Sequence, residues 1–102
     1  MGLDVELQDE RGGPLESISD RQNLLGRLLP PNSDESCLLV ASIDPYGDTV
    51  FNRIQMERFL REWRVVSAKA QSPEERTLVA AIESMAVRCN NSVHLYLKFI
   101  GD

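Results

Sequence analysis

The stretch SIDPYGDTVFNR, residues 42–53, concentrates the side chains with the most chemistry in this chain of 102 residues. Asp44 and Asp48 stand four residues apart. At that spacing two carboxylates can hold a divalent cation or share acid and base work. Tyr46, Thr49, Asn52 and Arg53 add hydroxyl, amide and guanidinium groups. His94, the one histidine, lies in SVHLYLKFIGD (92–102), two residues before Tyr96. If that segment runs beside Asp44, a His–Asp pair becomes available for proton transfer. A plainer reading stands next to this one. Pro45 presets a turn, Gly47 relieves a positive backbone angle, and Asp44 bonds to the turn amides. Asp48 or Thr49 then caps a following helix, while Val50 and Phe51 enter the core. No serine or cysteine is placed as a nucleophile for His94. No Gly-rich phosphate loop occurs, since Gly12-Gly13 reads as a hairpin.

The elements that must position these groups follow from periodicity. GLDVELQ (2–8) alternates, with Leu3, Val5 and Leu7 on one side, as a half-buried strand does. After the DERGG turn, PLESIS (14–19) returns as a second strand, and Pro14 at its start marks an edge. Ser19 and Gln22 have capping-box spacing ahead of a helix carrying Leu24, Leu25, Leu28 and Leu29, which Pro30-Pro31 ends. CLLVASI (37–43) is short and continuously apolar, which predicts a strand buried on both faces near the middle of a sheet. RIQMERFLREWRVVSAKA (53–70) puts Met56, Phe59, Leu60, Trp63, Val66 and Ala70 on one helical face, and Arg58, Arg61, Glu62 and Lys69 opposite. Asn52 caps it, with Gln55 at the third helical position. Arg53, Arg58, Arg61 and Arg64 find Glu57 and Glu62 at spacings of three and four. A second long helix begins at Ser72-Pro73-Glu74-Glu75 and ends at Asn90-Asn91, where asparagine tolerates left-handed geometry. Leu78, Ala81, Ile82, Met85 and Cys89 face inward. The final strand turns Val93, Leu95, Leu97 and Phe99 to the core and His94, Tyr96 and Lys98 away.

The order β-β-α-β-α-α-β predicts one α+β domain over residues 1–102, a four-stranded, mainly antiparallel sheet with helices on one face. Residues 1–50 hold ten acidic against three basic side chains, and residues 51–102 hold six against eight. The net charge of −5 disfavours phosphate backbones, so no nucleic acid is expected, and an acidic front half suits a basic protein partner. No apolar run is long enough for a membrane, and no secretory signal opens the chain, so a cytoplasmic protein is expected. Cys37 and Cys89 have no metal-ligand neighbours at the right spacing, and both read as buried hydrophobes. No cofactor or metal is expected.

DPYGDTVFN (44–52), the Ser-Pro-Glu-Glu helix start (72–75), HLYLKFIGD (94–102) and the acidic first strand GLDVEL (2–7) resemble a group of small, functionally uncharacterised bacterial proteins of about this length. The resemblance spans almost the whole chain. It implies a free-standing bacterial cytoplasmic protein and transfers no functional residue. The expectation is therefore a non-enzymatic protein-binding module, of immunity or antitoxin type, that covers a basic enzyme with its first-strand acids and the 44–53 loop. The alternative is a small enzyme, or a ligand- or metal-binding protein, with its site at Asp44, Tyr46, Asp48, Asn52, Arg53, His94 and Tyr96. A homodimer joined through an exposed strand edge is a third reading.

Overall fold

A computed structural model describes residues 2–101. Asp102, read above as the end of the last strand, lies outside the described residues. One antiparallel sheet contains β1 (Asp4–Gln8), β2 (Pro14–Ser19), β3 (Asp48–Asn52) and β4 (Tyr96–Ile100), in the order β2-β1-β4-β3. The helices are α1 (Leu25–Leu28), α2 (Leu38–Ala41), α3 (Arg53–Ala68) and α4 (Pro73–Asn90). This is the expected α+β fold, with β2 on an edge as Pro14 requires. The third strand, however, is DTVFN, and the apolar run 37–43 is not a strand.

That run forms a 3-10 turn, Glu35–Cys37, leading into α2. Cys37, Val40 and Ala41 are buried while Leu38 is exposed, a spacing of three and four rather than two. Glu62 of α3 decides the conformation. It is buried, not solvated as its position opposite the core stripe predicted. Its Oε1 accepts from the amides of Leu39 and Val40 at 3.0 and 2.9 Å, satisfying the open N-terminal end of α2. Arg58 Nε donates to its other oxygen at 2.9 Å.

The expected helix start at Ser19 is also displaced. Ser19 ends β2, and the buried carboxylate of Asp20 accepts from Leu24 and Leu25 at 2.9 and 2.8 Å. The two long helices begin as their sequences predict. Asn52 and Gln55 make a reciprocal capping box at α3, and Ser72 and Glu75 make another at α4 with Pro73 inside. Asn91 ends α4 with φ −93°, so the left-handed cap expected there does not form.

Helices α3 and α4 form a hairpin and cover one face of the sheet. Val5, Leu7, Leu97, Phe99 and Phe51 point into that layer and are buried. Phe59 stacks on Trp63 with ring centres 5.4 Å apart, and Phe51 and Phe99 close the cluster. Trp63 Nε1 donates to the Val79 carbonyl at 3.0 Å, pinning α3 to α4. Both cysteines are buried and free, and burial pushes the Cys89 thiol up to about 11. Among the described residues, no helix packs on the other face of the sheet.

Candidate functional site

Residues 44–47 form a tightly specified turn. Asp44 Oδ1 accepts from the Tyr46 amide at 2.9 Å, and the Asp44 amide donates to Thr49 Oγ1 at 2.9 Å. The end of β4 closes over the turn, where the Gly101 amide donates to the Gly47 carbonyl at 2.7 Å. A side chain at position 101 would stand 2.4 Å from the Pro45 carbonyl oxygen, so glycine is required there. The turn projects the Tyr46 side chain into solvent at 73% exposure. Asp48 and Thr49, expected as helix caps, belong to β3 instead, and Asn52 alone caps α3.

Strand alternation sorts the next residues. Thr49 and Phe51 face the helices; Asp48, Val50 and Asn52 face the open side. Val50 is 53% exposed, so only Phe51 of the Val50-Phe51 pair enters the core. Register then assembles a surface from distant parts of the sequence. Ile100 lies between Asp4 and Asp48, Lys98 between Glu6 and Val50, and Tyr96 between Gln8 and Asn52. Lys98 Nζ lies 3.4 Å from Asp48 Oδ2. With neighbouring strands about 4.8 Å apart, Asp4 and Asp48 are separated by roughly 10 Å.

Of the seven expected site residues, Asp48, Asn52 and Tyr96 therefore share the open face. Asp44 and Tyr46 lie in the turn at its margin, and Arg53 opens α3, exposed and without an ion partner among the described residues. His94 is elsewhere. It precedes β4 in an exposed turn, with Nδ1 3.2 Å from Glu10 Oε2. Because β4 runs antiparallel to β3, Tyr96 meets Asn52 while Ile100 meets Asp48. Those two pairs are about 13 Å apart along the strands. The expected approach of His94 to Asp44 thus does not occur, since it depended on a strand at 37–43. Val93, expected inward, is exposed in the same turn.

Seven of the ten acids of the front half fall into two groups. Asp9, Asp20, Asp34 and Asp44 spend their carboxylates on backbone amides of their own turns. The Gly13 and Arg11 amides hold the Asp9 carboxyl below its ordinary value, and the Ser36 hydroxyl and amide do the same for Asp34. Asp4, Glu6 and Asp48 are the acids presented by the open sheet face. Among the described residues, no group of three or more His, Cys, Asp or Glu side chains is arranged to hold a metal ion.

A groove of about 520 Å3 lies between the segment after β2 and the first half of α4. Ile18, Leu24, Leu78 and Ala81 line it, with Arg21 and Thr77 alongside. It contains none of the expected site residues. The sequence concealed it because residues 19–24 read as a helix start, leaving no room for a groove. No protein-family model, curated protein or solved structure matches this chain.

Proposed function

We propose that this chain is a non-enzymatic protein-binding module of a bacterial cytoplasm, of immunity or antitoxin type, whose contact surface is the open face of the sheet. One observation carries the reading: the register gathers the first-strand acids Asp4 and Glu6 with Asp48, Asn52 and Tyr96 on a face no helix covers. The 44–47 turn flanks it with an exposed tyrosine, a residue type favoured at interfaces. Tyr96, Ile100 and Val50 supply apolar contact, and three carboxylates against one lysine supply negative potential. A basic protein surface, such as the substrate cleft of an enzyme that handles polyanions, fits that chemistry. The bacterial and cytoplasmic setting is supported by the resemblance described above.

The test is capture from bacterial lysate, comparing the wild type with Asp4→Asn/Asp48→Asn. These two side chains cap no turn, so the variant should fold normally. A stoichiometric partner weakened by the double substitution is expected. Its association rate should fall steeply with salt and its dissociation rate much less, because complementary charge acts mainly on encounter. A partner held equally by both proteins, with salt-independent association, would overturn the acidic-face reading.

A further inference from the structure

We propose that the outer edge of β3 pairs with the β3 edge of a second copy of this chain, giving a two-fold dimer with one continuous eight-stranded sheet. The proposal goes beyond the binding-face reading: it uses the same 48–52 element and enlarges that face, but stands on backbone geometry of its own.

The argument starts from hydrogen-bond parity. The Gly101 amide donates to Gly47, so Gly47 and Gly101 are a hydrogen-bonded pair. In an antiparallel ladder such pairs recur every second residue. Thr49 with Phe99 and Phe51 with Leu97 therefore turn their peptide groups towards each other. Asp48, Val50 and Asn52 turn theirs outward, away from β4. Asn52 is already satisfied, since its amide donates to Gln55 Oε1 at 2.8 Å and its carbonyl starts α3. The amides and carbonyls of Asp48 and Val50 remain, and among the described residues no hydrogen bond reaches them.

Two open residues at positions i and i+2 are self-complementary. Laid antiparallel about a two-fold axis through Thr49, Asp48 of one copy faces Val50 of the other, and the reverse. All four open N–H groups then find carbonyls. This register keeps the two Asp48 side chains from standing directly opposite, and each already has Lys98 beside it at 3.4 Å. Thr49 meets Thr49 across the axis, a favourable cross-strand pair. Exposed apolar groups border this edge, Val50 on β3 and Ile54 on the first turn of α3, the latter 81% exposed. The other edge is protected in ways edges commonly are: β2 begins with Pro14 and carries a bulge opposite Leu7 and Gln8. β3 has no proline, bulge or lysine.

Sedimentation or light scattering across a concentration series, with hydrogen exchange, tests this. The wild type should move from one to two monomer masses as concentration rises. The Asp48 and Val50 amides should become protected only where the dimer forms, while Thr49 and Phe51 stay protected throughout. Val50→Pro removes an outward N–H and leaves the β3–β4 ladder intact, so it should stay at one monomer mass. Val50→Glu, which changes no backbone group but sets a carboxylate directly opposite Asp48 of the other copy, should do the same if the proline variant fails to fold. A wild type that remains at one mass at every concentration overturns the proposal, as does a dimer that survives both substitutions. A monomeric wild type that still captures a charge-dependent partner overturns the dimer alone. A β3-dependent dimer that captures nothing leaves the dimer standing and removes the binding-face reading.

Discussion

Asp20 shows how much one carboxylate can organise. It is buried, and two backbone amides converge on its two oxygens at the start of α1. Replacing it with alanine leaves those amides unpaired, and the expected loss is about 2 kcal/mol in urea denaturation, at an unchanged m-value. Asparagine keeps one acceptor and should lose less. Glu75 makes a pH-dependent counterpart. Arg27, followed by the Gln71 and Ser72 amides, holds its carboxyl down from the ordinary 4.5 to about 2. The ionised form is the one the fold favours. Its contribution is thus complete above about pH 4.5 and disappears as pH falls towards 2. The stability gap between the wild type and Glu75→Gln, measured by denaturation at several pH values, should close across that window. A gap that stays constant from neutral pH to pH 2 would disprove the assignment. Of these roles, the Glu75 cap was legible, because Ser-Pro-Glu-Glu has a fixed local meaning. Asp20 was not, because it was read as the first residue of a helix rather than as a loop residue reaching forward by four and five.

At the scale of elements, the same distinction between local and distant causes explains what the sequence could reveal. The α3 and α4 boxes, the Gly12 hairpin with φ +81° and the edge position of Pro14 depend on residues a few positions apart, and each appeared where expected. The short helix within 37–43, where a strand was expected, depends on Glu62, 22 and 23 residues from the amides it binds. A seven-residue apolar run carries no information about such a partner, and periodicity alone does not separate a buried strand from a short buried helix. DTVFN was obscured differently, because Asp48, Thr49 and Asn52 all resemble helix caps. Glu62→Leu should therefore expose the dependence of α2 on α3. It should cost about 2 kcal/mol and lose hydrogen-exchange protection at Leu39 and Val40 while β3 and β4 keep theirs. Equal loss everywhere would mean that α2 has no separate dependence on this carboxylate. The open-face group Asp48, Asn52 and Tyr96 was legible as a set of polar residues, but its neighbours Asp4, Glu6 and Lys98 were fixed only by register. No feature of a single strand announces register.

For the whole molecule, charge and topology act together. Four of the ten acids of the first half serve their own turns and three stand together on the open face, so the net charge of −5 describes that face less well than those three carboxylates do. The sheet order has one more consequence. β4 is paired on both sides, with β1 and with β3, and it is made last of the four. During synthesis β1 can form only its hairpin with β2, and β3 waits with both edges open until residues 96–100 emerge from the ribosome. Closure of the sheet thus waits on its last-made strand, a single late step rather than a growth from the first residues onward. Over that interval the nascent chain carries DTVFN unpaired, which makes the time between the completion of β3 and the arrival of β4 the period in which a chaperone would matter most.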